Sequence, residues 1–180
     1  MTHPVLRAER LFLDAFRAAD APAVQRLAGD REVAQYTQFI PHPYPDGEAE
    51  RWIATHGPEF QNGTNAAFAV RLPDGALVGA IAVKLHLEAR RGVLGYWIGR
   101  EFWGRGYATE AARALLGYAF PAWGLEKVEA VHMEANPASG RVMEKLGMRR
   151  TGARLAVCRD PEAVPIVEYA LHRSGFSAAP

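Results

Sequence analysis

Cysteine is almost absent from the 180-residue sequence, since Cys158 is the only one. A single cysteine cannot build a disulfide framework, so the fold has to be held by its hydrophobic core. The N-terminal residues also lack the apolar segment of a secretory signal peptide. Together these absences predict a protein of the cytoplasm.

Long hydrophobic runs and an excess of one charge are missing as well. A helix that spans a bilayer needs about 20 apolar residues, whereas the apolar stretch 77–83 is closed by Lys84. Lys and Arg total 21 against 20 for Asp and Glu, and the net charge of +1 provides no general attraction to nucleic acid or to an anionic membrane. We expect neither as a partner. Because no linker or repeat divides the chain, it is predicted to form one domain over residues 1–180.

What the sequence does contain is an alternation of helical and extended periodicity. Asp20 is placed to cap a short helix through Ala28, and a second helix is predicted to begin near Asp46, with a loop over 36–45 between them. Further along, the pattern predicts a hairpin over 66–85, strands over 93–98, 128–133, 148–155 and 164–171, a helix over 108–120 ended by Pro121, and a helix through Leu146 capped by Asn136. This order predicts an α/β fold in which a mixed sheet carries helices on its faces.

The segment 103–109 holds the strongest chemical signal. Gly104 and Gly106 allow a tight turn at the start of a predicted helix, where backbone N–H groups and the helix dipole favour an anion such as phosphate. A glycine-rich helix entry without any ligand would have the same pattern. The segment lacks the Gly-Lys-Ser/Thr of a Walker A loop, and Thr109 stands where a dinucleotide fingerprint has Gly or Ala. Glu126, about 20 residues past Gly106, keeps a ribose-binding interpretation open.

Several strings in fixed order resemble the GNAT superfamily of N-acetyltransferases, and within it the ribosomal-protein N-terminal acetyltransferases of the RimJ and RimL type. The likeness covers roughly residues 8–172. The strings that carry it are Glu9-Arg10-Leu11, Pro41-His42-Pro43-Tyr44, Gly95-Tyr96-Trp97-Ile98, Trp103-Gly104-Arg105-Gly106-Tyr107-Ala108-Thr109-Glu110-Ala111, Asn136-Pro137-Ala138-Ser139 and Glu144-Lys145-Leu146-Gly147.

The resemblance implies the GNAT fold, with a mostly antiparallel sheet of about seven strands and helices on both faces. The strands over 93–98 and 128–133 would splay apart to receive acetyl-CoA, and no metal is expected. The acetyl group would pass to an amine by direct attack, without a covalent enzyme intermediate. The residues assigned to the cofactor by this resemblance are Gly104, Arg105, Gly106, Ala108 and Thr109 around the pyrophosphate, Trp97 and Ile98 along the pantetheine arm, and Asn136.

Proton transfer is where the sequence departs from the resemblance. Many members of that branch carry a glutamate two residues before Gly-Tyr-Trp, and this chain has Val93 there. His132 and Glu134 are the leading replacements because they are predicted to share one strand face. A base can act through a water molecule, so other candidates remain, namely His86, Glu88 and Tyr96. Ser139 matches the residue expected to protonate the departing thiolate, although it could also be only part of a capped helix.

The acceptor is expected to be an amine, either the α-amine of a peptide or protein or a small primary amine. Without the glutamate, an α-amine with a pKa near 8 is favoured over a lysine side chain near 10.4, because less base is needed to deprotonate it. Tyr36, His42 and Tyr44 in the loop, together with Tyr96, are the predicted acceptor-binding residues. Two other functions stay open, a non-catalytic acyl-CoA sensor and a nucleotide-dependent oxidoreductase, and so does a homodimer.

Overall fold

The computed structural model describes residues 3–158 and 163–177. These residues form one mixed sheet with helices on both faces, as predicted. The elements in chain order are β1 (Leu6–Arg7), β2 (Phe12–Asp14), α1 (Ala21–Ala28), α2 (Arg31–Ala34), α3 (Glu48–Gln61), β3 (Asn65–Arg71), β4 (Leu77–His86), β5 (Arg91–Ile98), α4 (Tyr107–Ala122), β6 (Lys127–Met133), α5 (Pro137–Lys145), β7 (Arg149–Val157) and β8 (Ala163–His172).

The strands lie in the order β1-β2-β3-β4-β5-β6-β8-β7. Every neighbouring pair is antiparallel except β5 and β6, which are parallel. Within the described residues the sheet therefore has eight strands, one more than the prediction of about seven. The additional strand is β1, whose two residues are too short to produce a periodic pattern in the sequence.

One face of the sheet is covered by α1 and α3, which pack against Ala69, Ala80 and Trp97. Asp20 precedes α1 as predicted, but its side chain makes no capping hydrogen bond. The carboxylate instead accepts two hydrogen bonds, of 2.9 and 2.7 Å, from the buried guanidinium of Arg71. This ion pair satisfies a buried cation, and such a cation would be costly to leave without a partner.

The opposite face is covered by α4 and α5, whose buried side chains include Leu115, Leu116 and Met143. The prediction that Pro121 ends α4 is wrong, because the helix continues through Pro121 to Ala122. A proline in the last turn removes only one backbone hydrogen bond there, and the helix tolerates it. No helix within residues 3–158 and 163–177 is long and apolar enough to cross a bilayer.

The sheet opens between β5 and β6. The two strands pair only from Arg91 to Leu94 on β5 and from Lys127 to Ala130 on β6. Beyond those residues β5 stays paired with β4 as far as Ile98, and β6 stays paired with β8 as far as Met133. The predicted splay of these two strands is confirmed, and it leaves a gap in the middle of the sheet.

Candidate functional site

The glycine turn lies directly after β5, at the open end of the gap. Gly104 has φ 75° and Gly106 has φ 80°, so both occupy the left-handed region that side chains disfavour. Gly106 is also the residue that precedes the first turn of α4. The indole Nε1 of Trp103 donates to the Ile98 carbonyl at 2.6 Å and ties the turn to the strand. Two left-handed glycines before a helix N-terminus form a backbone concavity of the kind that binds anions.

Three further predicted cofactor residues belong to the same turn and the first turn of α4. Arg105 is exposed, and its Nη2 donates to the Glu101 carbonyl at 3.2 Å. Ala108 and Thr109 are half-buried in the first turn of α4. Their position places a small side chain and a hydroxyl beside the unpaired N–H groups of the helix.

Arg10 is a second cation at this turn, and the sequence analysis did not assign it to the site. Its Nη2 lies 3.5 Å from the position that a Cβ on Gly106 would occupy. Glu110 on α4 holds it by accepting from Arg10 Nε at 2.8 Å and from its backbone N at 2.6 Å. The guanidinium lies 5.1 Å from the centre of the Tyr107 ring. Because 100 residues separate Arg10 from Glu110, local spacing alone could not indicate the contact.

The backbone of β5 offers unpaired groups to the gap. The N–H of Gly99 donates to Val78 on β4 at 2.9 Å. Since hydrogen-bonding direction alternates along a strand, the N–H groups of Ile98 and Tyr96 point away from β4, toward the gap. The Trp97 side chain points to the face of the sheet that α1 and α3 cover, and it is buried in the core there. The backbone N–H of Ile98 is therefore directed toward the gap, and the assignment of Trp97 and Ile98 to the pantetheine arm stays a prediction.

Tyr96 and Ser139 meet on the α5 side of the gap. The Tyr96 hydroxyl lies 2.8 Å from Ser139 Oγ and also donates to the Ser139 carbonyl at 3.2 Å. Burial raises the pKa of Tyr96 to about 12, so this hydroxyl stays protonated at neutral pH and is unsuited to the role of a base. Asn136 caps α5 as predicted, accepting from the Ser139 N–H at 3.3 Å. Three predicted site residues thus form one connected group.

His132 and Glu134 do not share a strand face, so that prediction is wrong. β6 ends at Met133, and Glu134 lies exposed in the following turn, where its N–H donates to the Pro165 carbonyl at 2.9 Å. His132 faces α5, with its Nε2 only 2.8 Å from the position of a Cβ on Gly140. Its Nδ1 lies 2.8 Å from the Met133 carbonyl oxygen. The imidazole is therefore enclosed by α5 and is not paired with Glu134.

His86 and Glu88 lie at the wrong end of β5 for a base. His86 pairs with Arg91, the first residue of β5, and Glu88 follows in a short 3-10 turn. A strand advances about 3.3 Å per residue, so Arg91 lies roughly 20 Å from Ile98. Neither side chain is positioned to act in the gap.

The predicted acceptor-binding residues of the loop lie beside α1. The Nδ1 of exposed His42 lies 3.0 Å from the Gly29 carbonyl oxygen. Tyr44 packs over Gly29, with its Cβ 2.8 Å from the place a glycine Cβ would take, and burial raises the pKa of this tyrosine. Tyr36 is half-buried just after α2. The structure brings His42 and Tyr44 together against the end of α1, while Tyr96 lies on β5 beneath α5.

The arrangement as a whole fits an extended anionic thioester. An anion-binding turn lies at the end of β5, unpaired strand amides follow along the gap, and the Tyr96–Ser139 hydroxyl pair lies beside the gap. Among residues 3–158 and 163–177, no group of three or more His, Cys, Asp or Glu side chains is placed to hold a metal ion. The chemistry that these residues support is acyl transfer assisted by hydrogen bonds and proton donation.

Comparison with known sequences identifies the domain. Residues 10–149 match the family model described as "Acetyltransferase (GNAT) domain". The Bacillus subtilis protein named "Uncharacterized N-acetyltransferase YnaD" is 32% identical over 146 residues, which are 80% of this chain and 82% of that protein. YdaF of the same organism, provisionally named a ribosomal N-acetyltransferase, is 38% identical over 82 residues, or 45% of each chain.

Comparison with solved structures gives the same fold. The GNAT-family acetyltransferase from Bacillus anthracis superimposes with a TM-score of 0.83 at 27% identity, covering 95% of this chain and 99% of that one. Its likeness extends to the whole splayed sheet and the helices around it. The similarity to YdaF supports the resemblance to ribosomal-protein N-acetyltransferases at the level of sequence. The chain belongs to the GNAT family and is an acetyl-CoA-dependent N-acetyltransferase.

Proposed function

We propose that the chain acetylates the α-amine of a peptide or protein N-terminus. The observation that carries the proposal is the gap between β5 and β6, which has hydroxyl donors on one face and an open approach on the other. α4 and α5 cover the face of the sheet that bears Tyr96, and Ser139 lies on α5 above it. On the other face a Cβ on Gly95 would meet nothing within 4 Å. An acceptor amine can reach the gap from that open face.

Acetyl-CoA supplies an activated thioester carbonyl to this site. The residues that would hold it are those of the glycine turn, namely Gly104, Arg105 and Gly106 with Ala108 and Thr109, and the gap-facing backbone of β5. The N–H of Ile98 is placed to donate to the thioester oxygen, where negative charge develops during attack. The side chain of Asn136 orients the first turn of α5 and with it Ser139.

Ser139 is the proposed proton donor to the departing thiolate. Its hydroxyl is held by Tyr96, whose own proton is retained because burial raises its pKa to about 12. Either hydroxyl can donate in this contact, and when Tyr96 donates to Ser139 Oγ the serine proton is free to point elsewhere. The pair can therefore present one proton to the sulfur while the tyrosine compensates charge on the serine oxygen.

An α-amine suits this site better than a lysine side chain. Val93 provides no carboxylate at the position where the family resemblance predicts one. An α-ammonium with a pKa near 8 is much more often deprotonated at neutral pH than a lysine ammonium near 10.4. The provisional name of YdaF, a ribosomal N-acetyltransferase, agrees with an acceptor of this kind.

The test uses two peptides of one sequence with acetyl-CoA at pH 7. One peptide has a free N-terminus and no lysine, and the other has a blocked N-terminus and one lysine. Thiol release and product mass should show at least about tenfold faster acetylation of the free α-amine, in line with its larger neutral fraction. A panel of small primary amines is assayed in parallel. Turnover of the lysine peptide alone, or of small amines alone, would contradict the proposed acceptor, and CoA binding without turnover of any amine would indicate a sensor.

A further inference from the structure

A carboxylate lies on β8, one strand beyond the β6 edge of the gap, on the face from which the acceptor approaches. We propose that Glu168 binds the acceptor amine and receives its proton. This inference rests on the proposed function above. It assigns to β8 the role that the resemblance implied for the position of Val93 on β5.

The register of the sheet brings Glu168 to the gap. Glu168 pairs with Val131 on β6 and with Gly152 on β7. The β5–β6 ladder pairs Leu94 with Ala130 and then stops, so Gly95 and Val131 are the first residues on either side of the gap. Directly opposed residues point to one face of a sheet. Glu168 therefore projects from the same face as Gly95 and Val131, one strand spacing of about 4.8 Å from β6.

That face is only partly covered, since Ile166, two residues from Glu168 on β8, is fully buried there, whereas Gly95 on β5 is exposed. Leu94, Ala130 and Tyr169 belong to the core beneath α4 and α5, so their neighbours along the strands, including Glu168, point the other way. On that other side α1 contacts β4 and β5, and α3 contacts β3. Neither helix reaches over β6 and β8 in these contacts. The Glu168 side chain accordingly stays 35% exposed, enough to meet an incoming amine.

Local features of β7 hold the carboxylate in place. A β-bulge between Arg150 and Gly152 interrupts the β7–β8 ladder opposite Glu168. A Cβ on Gly152 would lie 3.1 Å from Glu168 Oε2, so the absence of a side chain there makes room for the carboxylate. Arg154 Nε donates to Oε1 at 2.7 Å. Bulges recur near active sites because they redirect side chains.

Glu129 is the other carboxylate on this face, and its charge is already neutralised. It accepts from Arg91 at 2.5 Å and is paired with Lys127 at 2.7 Å. Hydrogen bonds from these two cations hold the pKa of Glu129 below its ordinary value, against the effect of burial. Glu168 forms an ion pair with one cation, Arg154 on β7, while Arg149, opposite Ala170, projects from the same face, and the Arg91–Lys127–Glu129 group lies further along β5 and β6. Of the two carboxylates, Glu168 retains more capacity to bind a further cation.

The chemical step balances with the residues named. The amine nitrogen bonds to the acetyl carbon as the carbon–sulfur bond breaks. Glu168 takes the proton that leaves the nitrogen, directly or through one water molecule, and Ser139 gives a proton to the departing thiolate. Before the step, the negative Glu168 carboxylate attracts the ammonium form of the acceptor to the gap.

Glu168→Gln tests the assignment, with Glu129→Gln as the matched control on the same face. The kcat/KM for the free α-amine peptide should fall about 100-fold in the Glu168 variant, whereas the Kd for acetyl-CoA and the activity of Glu129→Gln should each stay within about twofold. Arg154→Gln breaks the same ion pair but keeps the carboxylate. It should remain active, with a kcat/KM for the peptide well above that of Glu168→Gln, because the carboxylate that binds the amine is still present.

A binding measurement decides the assignment even without turnover. With free CoA present, wild-type protein should bind the free-amine peptide more tightly than the N-acetylated peptide, and Glu168→Gln should lose that preference. Unchanged kcat/KM and unchanged peptide preference in Glu168→Gln would overturn the assignment. Equal losses in Glu168→Gln and Arg154→Gln would also overturn it, because they would indicate that the ion pair is only structural. Absence of acetyl transfer by the wild-type protein, with the peptide preference intact, would instead contradict the proposed function.

Discussion

The hydroxyl oxygens of Tyr96 and Ser139 lie 2.8 Å apart and join β5 to α5 beside the gap in the sheet. Tyr96 on β5 precedes Ser139 by 43 residues, and Ser139 lies in the first turn of α5, the helix that follows β6. It is the closest polar link across the site that the structure shows between two residues with predicted roles. Either hydroxyl can be the donor in this contact, because burial keeps the Tyr96 phenol protonated and a protonated hydroxyl both donates and accepts.

Removing either hydroxyl should slow the chemical step. Ser139→Ala should lower kcat about 10- to 100-fold, and Tyr96→Phe less, because the serine touches the leaving thiolate in the proposed mechanism. Steady-state kinetics with a fixed acceptor provide the measurement, and the Kd for acetyl-CoA should change little. Tyr118→Phe removes a phenol from the middle of α4, where the ring packs on Trp123, and serves as the control. A drop in kcat for the control as large as that for Tyr96→Phe would contradict the prediction.

Gly106→Val should weaken cofactor binding at least tenfold. A side chain at φ 80° costs roughly 1–2 kcal/mol and crowds the concavity that faces the phosphates. Gly75→Val is the matched control, since Gly75 has φ 89° and open space around it but lies in the β3–β4 hairpin turn. Both variants should lose similar thermal stability, and calorimetric titration with CoA should separate them. Equal affinities in the two variants would mean that the phosphate site lies elsewhere.

Arg10→Gln should lower the affinity for CoA about tenfold and flatten its dependence on salt. A cation at a helix N-terminus opposes the helix dipole, and Glu110 offsets that cost in the ligand-free protein. A bound pyrophosphate would add a second anion to the same guanidinium. Arg90→Gln removes another exposed, paired arginine at the β5 end away from the turn and should leave the affinity unchanged. Titrations at 50 and 300 mM salt measure both effects, and identical slopes for the two variants would refute the expectation.

The stability of the fold should fall in mild acid because of His56. Burial lowers the pKa of His56 from 6.5 to about 4, and its Nδ1 has no hydrogen-bond partner among the residues that the structure describes. Between those two pH values the unfolded chain binds a proton that the folded protein excludes. The stabilisation is therefore complete above pH 6.5 and is lost as the pH falls toward 4, by about 3 kcal/mol in total.

Urea unfolding at pH 7 and at pH 4.5 measures this effect, with His56→Phe as the comparison. The ring of His56 packs edge-on against Trp52 at 4.3 Å and lies 5.1 Å from Phe16, so an aromatic replacement preserves much of the packing. The loss caused by titrating carboxylates is the same in both proteins, and only the wild type also loses the contribution of His56. The variant should therefore lose clearly less free energy of unfolding than the wild type on acidification. The same loss in both proteins would show that His56 does not titrate in this range.

Local signals predicted much of the fold and of the cofactor turn. The cap at Asn136, the acidic first turn of α3 and the Pro73-Asp74-Gly75 turn each act within a few residues, so their elements appear where expected. The assignment of Glu134 to a strand failed because β6 ends one residue earlier, at Met133, and the exact end of a strand is the part of an element that sequence predicts least well.

The contacts that the sequence could not reveal join distant parts of the chain. Arg71 meets Asp20 across 51 residues, and Arg10 meets Glu110 across 100. Glu168 reaches the gap only through the strand order, in which β8 is inserted between β6 and β7. The alternation of side chains along β8 shows which face Glu168 occupies, but the residues beside it on other strands depend on long-range strand pairing.

The short parallel ladder between β5 and β6 has a consequence for how the protein holds together. Within the described residues, the only strand pairing between a five-strand unit, β1 to β5, and a three-strand unit, β6 with β8 and β7, is this ladder of four residues on each strand. The β3–β4, β4–β5, β6–β8 and β7–β8 ladders inside these units are longer, each with at least seven paired positions. A ligand that hydrogen-bonds to the free edge of β5 and contacts α5 would join the two units where the ladder between them stops. Binding in the gap should therefore raise the unfolding temperature of both units together, as mass action requires of any ligand selective for the folded state.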